Sequence, residues 1–488
     1  MTAALLALPV AGPMLAAGSV VAARRHRRGC RLVVQSVNAA VLVISGVLIA
    51  RTADGSVLSL RIGDWTAGVA VVFAVDMFGA LMLAVASLLV LVCYSFATAT
   101  GDDTEPLFAP LVLVLSAGVY GAFITADLFN LFVLIEVMLL PSYALLIMTG
   151  DRDRLAAGRL YLLVNLLAST VFLAGLGMLY AVTGTLNLAE LAGRATTSGP
   201  VAAAGAVLLI AMAAKAAVVP LHGWLPRSYP QAVPAVTALF SGLLTKTGAY
   251  VIIRIYSVLY DGDQRYTWLI MTGALLTMVV GVVAAAGQDT LRSILAFDMV
   301  SQIGYVLLGL ALATHAGLAA AVFFLVQYAL VKAALLLCAG AVETTYGTGR
   351  LRLLGGLAVR ERLLATAYAV AALSLAGLPP MSGFVAKLAL IRAAALDERY
   401  LPAALAVLVS LLTLVPLLKI WTGAFAGSPP SGLLDTTRAR PALVLPAVLL
   451  GAVSLALGVA AQPLLAAAEV AADLLSDPHR WAEAVLGG

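Results

Sequence analysis

"LLIAMAAKAAVVPLHGWLP", residues 208–226, sets a single ammonium group, Lys215, in a run that otherwise belongs in hydrocarbon, and interrupts that run at Pro220. The whole chain is written in this style. Of its 488 residues, 62% are hydrophobic and 11% charged, with a mean hydropathy of +1.05. That composition excludes a set of soluble domains and marks a polytopic membrane protein. A run of about 20 apolar residues crosses the hydrocarbon core as a helix. Outward from 208–226, fourteen such runs are legible, near residues 3–22, 31–50, 75–97, 107–125, 127–148, 158–182, 201–219, 234–260, 266–286, 291–313, 316–342, 363–395, 402–425 and 441–468. A transmembrane barrel would alternate apolar and polar residues over segments of about ten. These runs are longer and continuously apolar, so the expected fold is an all-α membrane protein of about fourteen transmembrane helices.

The surplus of positive charge sits in the connections. "RRHRRGCR" (24–31), "DRDRLAAGR" (151–159) and "GRLRLLGGLAVRER" (349–362) fall on one side if the helices alternate. The excess of basic residues assigns that side to the cytoplasm and both termini to the outside. The acidic "GDDTE" (101–105) falls inside as well and weighs little. The first apolar stretch precedes its basic cluster, the reverse of a signal peptide, and reads as an uncleaved helix. Cys30, Cys93 and Cys338 supply neither a disulfide framework nor metal-ligand spacing. No nucleotide loop is present, so no cofactor or metal is expected, and the net charge of +5 points to loops at a lipid bilayer rather than to nucleic acid.

Two runs are punctuated in midspan. The seventh meets Pro220, Pro226, Pro230 and Pro234; the twelfth contains "LAGLPPMSGFVAK" (375–387). Proline removes a backbone donor and clashes with the preceding turn, and unwound backbone at membrane depth survives only where protein or a water-lined cavity satisfies it. Interrupted segments at matching places in two halves point to inverted repeats. Here they are the fourth members of two five-helix sets of opposite polarity, helices 4–8 and 9–13. The expected organisation is residues 1–106 for helices 1–3, 107–260 for the first repeat, 261–425 for the second, and 426–488 for helix 14 with a short tail.

The ionisable residues inside these runs carry the functional reading. A Lys or Asp at a helix centre costs roughly 2.5–3.5 kcal/mol. Glu136 stands nine residues after Asp127, about 14 Å deep at 1.5 Å per residue. The chain has five lysines, Lys215, Lys246, Lys332, Lys387 and Lys419, all in apolar segments, while most arginines lie in connections. Arginine stays charged at any accessible pH, whereas lysine withdrawn from water can release its proton. Interior cations chosen as lysine are therefore expected to titrate along a proton path. The competing reading, lysines as structural counter-ions, meets too few acids: Glu136 and Asp298 alone lie well inside helices. Lys419, near a helix end, is expected to snorkel to the interface. A carboxylate about 4 Å from Lys215 would favour its ammonium form by about 4 kcal/mol at an effective dielectric of about 20. Glu136 and Lys215 thus form a candidate switch, with Lys246, Lys332 and Lys387 continuing the line.

At these residues the sequence resembles a known family. "DLFNLFVLIEVMLLPSYALLI" (127–147), "AAKAAVVPLHGWLPRSYP" (213–230), "ALFSGLLTKTGAYVIIRIY" (238–256), "RSILAFDMVSQIGYVLLGLAL" (292–312) and "LAGLPPMSGFVAKLALI" (375–391) occur in the order found in the antiporter-like subunits shared by Mrp-type multisubunit Na+/H+ antiporters and respiratory complex I. "GDWTAGVAVVFAVDMFGALM" (63–82) adds a likeness to the D-type branch of the Mrp group. The resemblance implies fourteen helices, two inverted five-helix repeats, broken seventh and twelfth helices, and a hydrated charged axis at the membrane midplane. By motif, Glu136 matches the fifth-helix glutamate and Lys215 its seventh-helix partner. Lys246 matches the eighth-helix lysine, Lys332 the lysine linking the halves, and Lys387 the twelfth-helix residue near the exit. His222 matches a histidine that takes up protons from the cytoplasm, with capping as its alternative role. Two departures stand out: Gln327 and Tyr328 lie where relatives often carry histidine, and Asp298 where they often carry histidine or serine. Asp298 is either an acidic partner or, by preference, a cap near a helix end.

The expected function is the proton-translocating subunit of a hetero-oligomeric monovalent cation (Na+)/proton antiporter, an ion antiporter subunit and not an enzyme. The alternatives are a proton-pumping subunit of a quinone-reducing or hydrogenase complex of the same fold, and a scaffold subunit whose charges only couple its neighbours.

Overall fold

The structure is a computed structural model and describes residues 2–23, 26–64, 71–148, 150–428 and 438–487. Arg24 and Arg25 of the first basic cluster, and residues 65–70 of the 63–82 stretch, lie outside the described residues.

Continuous apolar sequence with few breakers folds as helix because backbone groups in lipid must be satisfied within the segment. The helices are α1 (Thr2–Ala22), α2 (Arg27–Arg51), α3 (Met77–Thr100), α4 (Phe108–Ile124), α5 (Leu128–Ile147), α6 (Arg152–Thr183), α7 (Gly199–Lys215), α8 (Pro234–Tyr260), α9 (Thr267–Ala286), α10 (Leu291–Ala311), α11 (His315–Tyr346), α12 (Arg362–Ala376), α13 (Ser382–Leu396), α14 (Tyr400–Ile420), α15 (Pro441–Val459), α16 (Gln462–Ser476) and α17 (Pro478–Leu486). Among the described residues, eleven helices are long and apolar enough to cross a membrane, and three shorter apolar ones, α4, α7 and α12, join them. The chain is an all-α polytopic membrane protein with one small addition. Two strands, β1 (Leu58–Arg61) and β2 (Val72–Val75), pair antiparallel between α2 and α3.

Side-chain oxygens set several helix starts by accepting orphan N–H groups of the first turn. Asp76 accepts from Gly79 at the head of α3, Asp127 from Asn130 at α5, Asp151 from Arg154 at α6, Thr290 from Ser293 at α10, and Thr314 from Gly317 at α11. Burial is uneven. α8, α10 and α11 are enclosed on nearly every side, whereas α1, α2, α6, α9 and α14 leave apolar flanks uncovered. Three central helices surrounded by a ring of outer ones give the ionisable residues of the centre no route to bulk water through their own side chains.

One run ends differently from the sequence expectation. The fourteenth stops at Val459, and α16 begins anew at Gln462 with a proline in its first turn. α16 and α17 lie over the end of the bundle that bears the β-hairpin. Asp473 pairs with His315 at 2.8 Å, Asp261 with His479 at 3.5 Å, and Arg61 donates to the Leu486 carbonyl. The twelfth run is two fifteen-residue helices, α12 and α13, with residues 377–381 between them.

Candidate functional site

The ends of α7 and α12 determine where two of the lysines sit. α7 stops at Lys215, and Ala217 adopts a left-handed φ of 58°. Val218 N–H then returns to the Ala213 carbonyl at 2.9 Å. The indole of Trp224, in the single-turn helix Trp224–Ser228, donates to the Ala214 carbonyl at 2.9 Å. Carbonyls freed by the stop are thus paired inside the protein. Lys215 is 5% exposed, and its Nζ lies 3.5 Å from the Asn165 carbonyl of α6. A cavity of ≈ 10 Å³ adjoins it, lined by Tyr161, Asn165, Trp224 and Leu244 among others, a volume close to the smallest that holds one water.

Lys246 and Lys332 have no exposed surface at all. Lys332 on α11 pairs with Asp298 on α10 at 2.5 Å, and Gln302 Nε2 donates to the other Asp298 oxygen at 3.2 Å. Asp298 is itself fully buried in the middle of α10, so it does not cap a helix end; it is the acidic partner of Lys332. The preference for capping fails because α10 begins at Leu291, two turns earlier. Lys246 has no carboxylate within ion-pair distance among the described residues. Its Nζ sits 3.7 Å above the centre of the Tyr328 ring and 3.4 Å from Thr245 Oγ1. Tyr328 precedes Lys332 by four residues and shares its helix face, and its hydroxyl donates to the Met299 carbonyl at 3.0 Å. The aromatic contact continues through Phe324 to Tyr305, with ring centres 6.0 and 5.3 Å apart. Lys387 Nζ lies 4.9 Å over the Tyr305 ring. That ammonium, 3% exposed, also donates to the Ala376 carbonyl and to Ser410 Oγ.

Glu136 is the carboxylate whose charge reaches Lys215, without direct contact. It is half-buried on α5, on a flank that also shows Phe129, Val133 and Leu140 to the exterior. No ion pair joins it to Lys215, and its Oε1 is buried without a protein partner. His222 occupies the turn after α7, half-buried, with Nδ1 unpartnered. Lys419 is 34% exposed and pairs with Asp289 at 3.1 Å, as expected of a residue at an interface.

Sequence reading did not find Tyr328, Tyr305, Asn165 or Ser410 as neighbours of the amines. The i, i+4 spacing of Tyr328 and Lys332 was the one available signal. It also did not find a second buried ion pair, Arg254 of α8 with Asp76, at 2.6 Å. Trp481 of α17 stacks 5.3 Å from that guanidinium.

The family described as NADH:quinone oxidoreductase/Mrp antiporter, TM, matches residues 125–413, the stretch that contains every lysine except Lys419. The D-type subunit of a Na+/H+ antiporter from Alkalihalophilus pseudofirmus is 37% identical over 99% of both chains. Its namesake from Bacillus subtilis is 32% identical over 98% of both. The chain belongs to the D-type subunits of Mrp Na+/H+ antiporters. Among solved structures, a chain of the Mrp complex from a Dietzia species is 46% identical and superimposes with a TM-score of 0.96, covering 100% of this chain and 99% of that one. In a member of this family, an enclosed row of amines threaded by aromatic rings and a single close carboxylate is an arrangement suited to binding and releasing protons.

Proposed function

We propose that this chain is the proton-translocating subunit of a multisubunit Na+/H+ antiporter in a bacterial cytoplasmic membrane, and that protons pass along Glu136, Lys215, Lys246, Lys332 and Lys387. It works as a subunit of a complex, since the relatives that align along its whole length are named as antiporter subunits. His222 supplies uptake from the cytoplasm, and Asp298 steadies the charged form of Lys332. One observation carries this reading. Four amines are 5% exposed or less, yet among the described residues only Lys332 has a carboxylate within ion-pair distance. Unpaired charge held in a low dielectric is costly, so such amines persist where a proton can leave and return. Buried acceptors without protein partners at Gln302, Gln327, Ser241 and Glu136 support a hydrated route, because ordered water is what satisfies such atoms.

The architecture in this proposal is two inverted five-helix repeats, residues 107–260 and 261–425, flanked by 1–106 and 426–488. Their interrupted members are α7 and the α12–α13 pair, and both termini face outward. Free cysteines at 30, 93 and 338 are buried, so Asp54→Cys gives a clean label: an impermeant maleimide should reach it from the outer side only. The function is tested by dye-monitored pH change in vesicles carrying the complex when Na+ is added. Lys215→Ala, Lys246→Ala and Glu136→Ala complexes that assemble should lose the Na+-dependent signal. Full-rate exchange in all three would overturn the route. The antiporter reading is favoured over a quinone-reductase subunit by the end-to-end match to Mrp relatives.

A further inference from the structure

Between α12 and α14, at the end of the bundle that carries the basic connections, lies a groove. Its deeper part is a cleft of ≈ 190 Å³ between Tyr368, Ala369 and Leu373 of α12 and Leu414, Leu418 and Trp421. The Tyr368 hydroxyl is already paired, donating to the Leu417 carbonyl at 2.8 Å, so the walls offer hydrocarbon and ring faces. Leu373 and Leu418 on the rim are exposed, and the groove opens toward hydrocarbon. Farther along it widens into a space of ≈ 540 Å³ that shares Ala369, Leu373 and Trp421 with the cleft and adds Val359, Arg362 and Thr366. α14 gives way here to one π-helical turn, Trp421–Phe425, a deviation that often marks a functional site. The Trp421 ring lies against Phe425 and Tyr368, with centres 5.4 and 6.3 Å apart, which holds the indole as a wall of the groove. The wide end has polar capacity to spare. Arg362, the first residue of α12, is exposed and pairs with no carboxylate among the described residues. The Trp421 indole N–H, a donor only, likewise has no acceptor among them. Glu361 is buried and committed, accepting from the Tyr346 hydroxyl and the Ala439 N–H, both at 2.8 Å. That second bond brings Arg438 and Arg440, both exposed, to the start of α12.

We propose that this groove binds one anionic phospholipid, with an acyl chain in the cleft, its phosphate on Arg362 and an ester or phosphate oxygen accepting from the Trp421 indole. The layout follows a lipid from end to end: an apolar slot, a tryptophan of the kind that sits at membrane boundaries, and unpaired guanidiniums above it. Guanidinium grips phosphate oxygens bidentately, and basic pockets between membrane helices hold anionic headgroups. A partner helix is about 10–12 Å across, too wide for a cleft of ≈ 190 Å³, whereas an acyl chain is a single row of methylenes. The position gives the lipid something to do. Leu373 precedes Ala376 by three residues and Leu414 follows Ser410 by four, and Ala376 and Ser410 are the groups that hold Lys387 Nζ. A chain seated between α12 and α14 braces the two helices that frame this amine. The site stands without the antiport reading above; its effect on exchange rests on it.

The test titrates delipidated whole complex in detergent with phosphatidylglycerol and counts retained lipid by native mass spectrometry. Arg362→Gln, and Ala369→Phe, which fills the cleft, should each need about fivefold more phosphatidylglycerol to retain the same number, the worth of one arginine beside an anionic headgroup. Arg362→Lys should keep most of the binding. Arg352→Gln, which removes an exposed charge outside the groove, should bind as the unsubstituted complex does. Phosphatidylcholine should be retained less well than phosphatidylglycerol by the unsubstituted complex and equally poorly by Arg362→Gln. In phosphatidylcholine vesicles, stepwise addition of phosphatidylglycerol should raise Na+-driven proton movement, with the half-maximal fraction about fivefold higher in Arg362→Gln. Equal phosphatidylglycerol retention by the unsubstituted, Arg362→Gln and Ala369→Phe complexes would overturn the site. An Ala369→Phe complex that sheds a protein subunit, while Arg362→Gln keeps its lipid, would show that the groove seats a partner and would overturn it as well. Exchange indifferent to phosphatidylglycerol would overturn the bracing role. A complex that binds the lipid as expected yet moves no protons with Na+ at any lipid composition takes down the antiport reading and leaves the groove standing.

Discussion

Lys246 keeps its charge, when it has it, over an aromatic face rather than beside an acid, and Tyr328→Leu measures what that face is worth. With Nζ 3.7 Å from the ring centre and both residues fully buried, the contact belongs to the desolvated class of cation–π pairs, worth about 2 kcal/mol or more. Its removal therefore lowers the fraction of Lys246 that holds a proton by about thirtyfold, since 1.36 kcal/mol is one decade. Tyr328→Phe keeps the face and discards only the hydroxyl bonded to the Met299 carbonyl. Exchange should be measured in vesicles from pH 6 to 9, on complexes shown to be assembled. Tyr328→Phe should retain most of the rate across that range (about a twofold loss at most). Tyr328→Leu should lose about thirtyfold where protonation of Lys246 limits the rate, and recover part of it as the pH is lowered. Equal profiles for Leu and Phe would show that the ring does not hold the ammonium and would refute the argument.

Other expectations follow from the same contacts. Asp298→Asn strips Lys332 of its one close carboxylate, a cost of about 3–5 kcal/mol for breaking a buried pair, and exchange should fall by at least about a hundredfold. Arg254→Leu leaves Asp76 buried and unpaired at the head of α3, so the melting temperature of the purified complex should drop, with Arg254→Lys giving partial relief. Gly383→Ala puts a methyl carbon 1.8 Å from the Ser374 carbonyl oxygen, which no side-chain motion can relieve. Yield of assembled complex should collapse, whereas Gly12→Ala, which meets nothing within 4 Å, should leave it intact.

The spans were readable because hydrocarbon imposes one rule on every residue of a run, and about twenty residues suffice to show it. Which residue faces which was not. α10 and α11 are buried on all sides, so they carry no polar stripe from which a facing direction could be read. The Asp298–Lys332 pair, 34 residues apart, is therefore invisible along the chain. For the same reason Asp298 read as a cap: its depth in α10 depended on a helix start that sequence places only within a few residues. Glu136 and Lys215 read as a candidate pair from their depth and from the motifs that hold them; in the structure Glu136 is half-buried on an uncovered flank of α5, and no ion pair joins the two. The C-terminal segment read as a tail because its apolar residues are spaced for one face of a helix on a surface, with Asp477, His479 and Arg480 on the other. The hairpin escaped because each strand is four residues long, too short for alternation to register.

The segregation of the two basic residue types has a practical use. With four of five lysines sealed in the centre and the fifth at its margin, feeding one isotopically enriched amino acid to the expressing cells would place nearly every labelled side chain of this chain in the buried row of amines and almost none elsewhere. A nitrogen spectrum of this chain would thus be sparse enough to follow each amine separately as the pH is changed.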